Sequence, residues 1–215
     1  MNQVNYQREL EKIIDKIVKE GAPGDAPTLF LHSCCAPCSS YVLEYLAPFF
    51  RITVFYYNPN ISEDSEYRKR VEEQKRLIGL YNEAGKGHTI SIVEGDYDPE
   101  RFYEAVKGFE HLGERSARCV KCFELRLQET AGRAREGGYD YFGTTLTISP
   151  LKDANILNAI GMKLSGDNSV KWLPSDFKKK NGYKRSVELS EEYGLYRQDF
   201  CGCSFSRDER SRVET

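Results

Sequence analysis

The sequence predicts a three-layer α/β fold, a parallel sheet of about five strands with helices on both faces. Short apolar runs rich in β-branched and aromatic residues alternate with longer segments of helical periodicity. Strands separated by helices pair in parallel, and each crossover covers a face of the sheet. A hydrophobic content of 40%, with 12% aromatics, over 215 residues is enough for one such core.

Leu10, Ile13, Ile14, Ile17 and Val18 recur at helical spacing and predict an amphipathic opening helix. Residues 27–32 (PTLFLH) read as a buried first strand. Ser39 or Ser40 is placed to cap the next helix, which carries Val42, Leu43, Tyr45 and Leu46 and ends near Pro48. Residues 51–57 predict a second strand, Asn58-Pro59-Asn60 a turn, and residues 62–85 a long helix with Tyr67, Val71, Gln74, Ile78 and Tyr81 on one stripe. Residues 89–93 predict a third strand, and Pro99 opens a helix at its first position, where a missing N–H costs little. Cys119 and Cys122 precede a helix through Phe123, Leu125, Leu127 and Ala131, which ends at Gly137-Gly138. Residues 139–146 predict the fourth strand, 153–164 a helix, 170–173 the fifth strand and 183–193 the last helix. Residues 1–206 read as one α/β domain carrying the chemistry, and residues 207–215 as a charged, loose tail.

All seven cysteines fall in three tight groups: Cys34, Cys35 and Cys38; Cys119 and Cys122; Cys201 and Cys203 around Gly202. Packing cysteines scatter through apolar stretches, whereas these sit beside Gly, Pro, Ser or charged residues at loops and helix starts. Three groups far apart in sequence point to one site assembled by folding, where thiolates hold soft metals, iron–sulfur clusters or a redox disulfide. Adjacent Cys34 and Cys35 chelate one small ion poorly but can reach separate irons of a cubane. Cys119 and Cys122 complete the four thiolates that such a cluster takes. A four-cysteine zinc site is the alternative, although zinc more often takes two C-x-x-C pairs. Cys35-Ala36-Pro37-Cys38 at a helix start also has the form of a thioredoxin-type pair, a reading that leaves Cys34 and four further thiols without a role. Cys201 and Cys203 can close a strained, readily reduced disulfide suited to electron relay, or ligate a metal; the residues support both.

His32 abuts the first group and reads as a hydrogen-bonded core residue before a ligand. Thr144-Thr145-Leu146 and Ser149-Pro150 can line a pocket or cap a helix, and Asp64 and Asp199 are candidate acids that loops usually leave solvated. The first strand-to-helix turn has no glycine-rich phosphate loop, since cysteines occupy it, so ATP and dinucleotides are not expected as cofactors. Net charge is −2, which is not the footprint of a protein coating nucleic acid but leaves room for a local basic face. Lys178, Lys179, Lys180, Lys184 and Arg185 form one candidate face; Arg68, Lys69, Arg70, Lys75 and Arg76 form another, read first as a solvated helix face. No apolar run reaches the length of a membrane span, and the first twenty residues lack the apolar core of a signal peptide. A cytoplasmic protein whose thiols stay reduced is expected, and the odd cysteine count argues against a disulfide framework.

Read as an ordered set, several segments resemble the QueH-type epoxyqueuosine reductases. They are His32-Ser33-Cys34-Cys35-Ala36-Pro37-Cys38, Tyr57-Asn58-Pro59-Asn60-Ile61, Cys119-x-x-Cys122-Phe123-x-x-Arg126, Thr144-Thr145-Leu146 with Ser149-Pro150, and Tyr193 through Cys203. Each piece is weak alone; the set, spread over about residues 28–206, is specific. The resemblance implies a Rossmann-like (HUP-like) fold and removal of the epoxide oxygen of epoxyqueuosine at the tRNA wobble position, giving queuosine without cobalamin. It implies a [4Fe–4S] cluster on Cys34, Cys35, Cys119 and Cys122, a redox-active Cys201–Cys203 pair, and an additional metal ion near the cluster that Cys38 could touch. The implied partners are tRNA carrying epoxyqueuosine in its anticodon loop and an unidentified electron donor. Wobble nucleotides are single-stranded, so Tyr57, Tyr183 and Tyr196 are candidates for stacking. One rival is an iron–sulfur-dependent tRNA thiolation enzyme, which needs an ATP-binding Ser-Gly loop that this chain lacks. The other is a zinc-stabilised RNA-binding module.

Overall fold

Alternating residues of the central strands face two different cores. Leu29 and Leu31 point into one with Val42, Leu43, Leu46, Ile52, Val54 and Leu77; Phe30 points into the other with Phe55, Phe123, Leu127, Phe142 and Trp172. This is the period-two signature of a strand buried on both faces. A computed structural model describes residues 4–21, 26–166 and 169–211. Five strands, β1 (Thr28–Ser33), β2 (Arg51–Tyr56), β3 (Ser91–Glu94), β4 (Tyr141–Thr144) and β5 (Lys171–Trp172), form one sheet in the order β3-β2-β1-β4-β5. Every pairing is parallel. The fold class read from the sequence is therefore the one observed.

The helices are α1 (Tyr6–Glu20), α2 (Ala36–Leu46), α3 (Asp64–Ala84), α4 (Pro99–Ala105), α5 (Ala117–Glu136), α6 (Ala154–Leu164), α7 (Gly182–Glu192) and α8 (Ser204–Ser211). Their ends follow local chemistry. Asn5, Asp98 and Asp153 each accept a backbone N–H of the first turn of α1, α4 and α6. Gly85, at φ 59°, ends α3 in the left-handed conformation. A Cβ at Gly161 would overlap the Trp172 ring, so glycine lets α6 lie close over β5. Each Leu, Ile or Phe in these cores contributes about 1.5–3 kcal/mol by leaving water.

Three boundaries differ from expectation in ways that matter for the site. Helix α2 begins at Ala36, with Pro37 in its first turn and Cys35 as N-cap, so Cys38 is helical. Ser39 and Ser40 therefore do not cap it: Ser39 joins a buried triad with Ser33 and Gln74, and the Ser40 hydroxyl donates to the Pro37 carbonyl. Cys119 and Cys122 lie within the first turns of α5 instead of preceding it. The segment expected to be loose from Arg207 onward is helical to Ser211, anchored where Arg118 pairs with Glu209 at 2.8 Å; residues 212–215 of that tail lie outside the described residues. No helix among the described residues is long and apolar enough to cross a membrane.

The strand order reverses direction between β1 and β4, and the crevice beyond their carboxyl ends is where open α/β sheets bind ligands. Cys34 and Cys35 follow β1 there, and Thr145 follows β4.

Candidate active site

The end of β1 is held by a dense set of buried polar contacts. His32 is fully buried, with Nδ1 2.9 Å from Thr144 Oγ1 and Nε2 3.0 Å from the Tyr57 carbonyl. A carbonyl only accepts, so Nε2 carries the hydrogen and Nδ1 accepts from the Thr144 hydroxyl. That hydroxyl in turn accepts the Leu146 N–H at 3.1 Å. Burial, reinforced by the nearby Arg126 charge, pushes the His32 pKa down to about 3, so the ring is neutral. His32 is thus a structural pin between three segments, as the sequence favoured.

Asn58, at the exit of β2, donates to the Ser33 carbonyl at 2.8 Å and accepts from Arg126 Nη1 at 3.2 Å. Arg126 is only 1% exposed. It also donates from Nε to the Cys122 carbonyl at 3.4 Å, and its Nη2 has no hydrogen-bond partner among the described residues. The signal for Arg126 was its place four residues after Cys122, one helical turn away on the same face.

Three thiols converge at the N-terminus of α2. The sulfurs of Cys34, Cys35 and Cys38 lie within 4.8 Å of one another and form a group able to hold a metal ion. Cys34 Sγ is 3.7 Å from Cys35 Sγ and 3.8 Å from Thr145 Oγ1. Hydrogen bonds from Cys35 and Cys38 hold the Cys34 thiol well below its ordinary pKa against the opposing effect of burial, with Lys152 adding a favourable charge. Cys35 and Cys38 rise because each donates to Cys34. Ionisation within this trio therefore starts at Cys34.

A second group forms where α5 meets α8. Cys119, Cys122, Cys201 and Cys203 line a small cavity of about 20 Å³ together with Asn60 and Arg126. Burial raises the Cys122 pKa to about 11 and that of Cys203 to about 12. The Cys201-Gly202-Cys203 loop is tied down by hydrogen bonds. Ser62 N–H donates to the Gly202 carbonyl at 3.0 Å, and Arg70 Nη1 and Asn60 Nδ2 donate to the Cys201 carbonyl at 3.3 and 3.4 Å. Gly202 sits at φ +114°, a conformation L side chains rarely adopt. All seven cysteines are free thiols.

The two thiol groups share a border. A cavity of about 290 Å³ is lined by Cys34, Cys35, Cys38, Lys152, Arg126 and Cys201, so Cys201 and Arg126 face both cavities. Asp199, Ser149, Pro150 and the half-exposed Tyr183 also line the larger one. Its chemistry fits a thiolate-bound metal centre: sulfur donors converge beside a buried cation with an unpartnered N–H group.

Other candidates resolve into ordinary roles. Tyr57 is buried and stacked on Phe55, and the Tyr196 hydroxyl donates to Glu66 beneath Lys69. Asp64 pairs with Arg68, Lys75 with Glu72 and Glu94, and Arg76 with Glu73. The exception in that helix face is Arg70, which is buried, pairs with Glu66 and supports Cys201. In the other basic cluster Lys180 pairs with Glu11, Arg185 with Glu44, and Lys178 donates to the Thr147 carbonyl. Sequence reasoning passed over Lys152 and Gln198, whose contributions depend on loops that fold over the cavity.

Comparison with known proteins gives consistent matches. A family model described as epoxyqueuosine reductase QueH matches residues 29–209. A protein of that description from Staphylococcus epidermidis is 42% identical over 205 residues, covering 94% of this chain and 84% of that protein. One from Streptococcus pyogenes is 42% identical over 203 residues, covering 94% and 78%. One from Thermotoga maritima is 36% identical over 189 residues, covering 85% and 92%.

Proposed function

Because the chain belongs to the QueH family of epoxyqueuosine reductases, we propose that it is the oxidoreductase that converts epoxyqueuosine at the tRNA wobble position to queuosine, the last step of queuosine biosynthesis. The observation that carries this reading beyond family membership is the gathering of all seven thiols around two cavities that share Cys201 and Arg126. Epoxide deoxygenation takes up two electrons and two protons and releases water. Oxidation of one dithiol to a disulfide supplies that number of each.

Cys34, Cys35, Cys119 and Cys122 would hold a [4Fe–4S] cluster, with Cys38 close enough to Cys34 and Cys35 to contact an additional metal ion. When bound, such a cluster would supply single electrons, and the additional metal ion would supply a Lewis acid toward oxygen. Cys201 and Cys203 are the redox dithiol. Cys201 lines the larger cavity with the first thiol group, so the dithiol reaches the substrate space without a large closing motion. Cys203 stands behind it in the smaller cavity. The larger cavity, about 290 Å³, approaches the lower end of small-ligand pockets and suits the modified end of one base. Tyr183, 40% exposed on that cavity, offers a ring for stacking. The partners are tRNA and an external electron donor that re-reduces the dithiol, with neither ATP nor cobalamin taking part. Residues 1–206 carry the reaction, and the cytoplasm, where tRNA and reduced thiols coexist, is its place.

The test combines anaerobic iron and sulfide analysis with a nucleoside digest of tRNA carrying epoxyqueuosine. Reconstituted protein is expected to be brown, to carry iron and sulfide, and to convert epoxyqueuosine to queuosine. Serine at Cys34, Cys35, Cys119 or Cys122 is expected to cut bound iron. Full iron and an intact visible band in any two of these variants would refute the ligand assignment.

A further inference from the structure

Two cations, Arg126 and Lys152, face the thiols without a carboxylate partner: Glu114 and Asp199 also line the larger cavity, but neither forms an ion pair with them among the described residues. Arg126 lies between the two cavities, 1% exposed. Its hydrogen-bond partners are neutral, the Asn58 side chain and the Cys122 carbonyl, and its Nη2 has none. Lys152 lines the larger cavity with Cys34, Cys35, Cys38 and Cys201, and its Nζ donates only to Ser149 Oγ, at a long 3.5 Å. Among the described residues neither side chain forms an ion pair, whereas the neighbouring buried Arg70 is matched by Glu66 at 2.6 Å. A buried cation without a counter-charge is expensive. Its retention here calls for negative charge closer than Glu114 or Asp199, neither of which pairs with Arg126 or Lys152.

The thiols that line the same cavities as both cations are the facing source. A metal centre held by several thiolates is anionic, and adding one electron makes it more so by one charge. Fixed cations facing it stabilise the reduced state more than the oxidised one, which raises the reduction potential. We propose that Arg126 and Lys152 are positioning residues that set the reduction potential of the thiolate-bound cluster by acting as its counter-charges. They act through the cluster, outside its ligand set. The inference rests on the cluster assignment made above.

The readout is a potentiometric titration of anaerobically reconstituted protein without tRNA, followed by electron paramagnetic resonance, with dithionite as reductant. Lys152→Gln and Arg126→Gln are each expected to lower the reduced-to-oxidised ratio about tenfold at fixed potential, which is ~59 mV for a one-electron couple. Lys152→Arg and Arg126→Lys keep the charge and are expected to stay close to the parent. A purely structural role would alter stability or iron content without separating the charge-keeping from the charge-removing variants. Arg126 also packs Asn58, so if Arg126→Gln does not fold, Lys152→Gln, at a less completely buried position, decides. Failure of the charge-removing variants to load iron, with normal loading of the charge-keeping ones, supports the same counter-charge role. Unshifted potentials in iron-replete Lys152→Gln overturn the proposal. A parent protein that binds no iron overturns the cluster assignment, so the two failures are told apart before any variant is compared.

Discussion

Replacing Asn58 with alanine should destabilise the protein far more than the same change at Asn60, although both are buried asparagines in one turn. Asn58 is 2% exposed and satisfies two groups at once: it donates to the Ser33 carbonyl at 2.8 Å and accepts from Arg126 Nη1 at 3.2 Å. Alanine leaves a buried carbonyl short of one donor and a buried guanidinium with two unpartnered nitrogens, since Nη2 already has none. Each neutral orphan costs about 1–3 kcal/mol, a charged one more, giving a loss of roughly 2–5 kcal/mol. In a chain of this size each kcal/mol moves Tm by roughly 2–4 °C, so Asn58→Ala should melt about 4–20 °C lower. Asn60 is 1% exposed, but its Nδ2 bond to the Cys201 carbonyl is a long 3.4 Å, and its Oδ1 has no partner among the described residues. Deleting it removes an unsatisfied acceptor along with a weak bond, and the loss should stay below ~1 kcal/mol. Urea and thermal unfolding of the metal-free proteins, followed by circular dichroism, measure both. Asn58→Ala within ~0.5 kcal/mol of the parent, or Asn60→Ala costing as much as Asn58→Ala, would refute the bridging role.

Two further predictions concern the dithiol. Cys201→Ser and Cys203→Ser should each retain the visible band of the reconstituted protein while losing conversion of epoxyqueuosine in tRNA; loss of the band would make these residues ligands, and full turnover in both would deny the loop a chemical role. Gly202→Ala should cost ~1–3 kcal/mol, because φ is +114° and the new methyl meets Ile61 Cγ1 at 2.8 Å. It should also slow turnover, measured under the same digest, and an alanine variant as stable and as fast as the parent would show that the loop has no need of this conformation.

Much of the sheet was legible because strands buried on both faces read as short continuous apolar runs set off by helical periodicity. Leu29, Phe30 and Leu31 announce a two-sided strand, and the long α3 stripe even carries its buried polar member, Gln74, in register with Tyr67, Val71, Ile78 and Tyr81. The short elements were less so. β5 is only two residues, and the expected fourth strand turns after Thr144 into a single 3₁₀ turn in which the Thr144 hydroxyl takes the Leu146 N–H. Helix starts were misplaced for a related reason. Serine is a good cap by propensity, yet Ser39 is drawn into the Ser33–Gln74 cluster, and the chain lets Pro37 begin α2 earlier. That shift puts Cys38 on the first helical turn beside Cys34 and Cys35.

The site divides along the same line. Cysteine grouping announced which residues gather, but the pairing of groups comes from tertiary contacts with no local sequence signal. Cys201 reaches the first thiol group because the chain before α8 crosses the carboxyl end of the sheet. Its carbonyl is held there by Arg70 and Asn60, and the Gly202 carbonyl by the Ser62 amide. The holding groups come from the turn after β2 and from α3, more than a hundred residues away. The same turn carries Asn58, which fixes Ser33 just before Cys34 and Arg126 just after Cys122. Residues 58–62 thus contact all three thiol-bearing segments through backbone and amide hydrogen bonds. This explains how three groups so distant in sequence meet without a disulfide: their relative positions are set by a neutral turn that contains no cysteine, leaving every thiol free for a metal or for electron transfer.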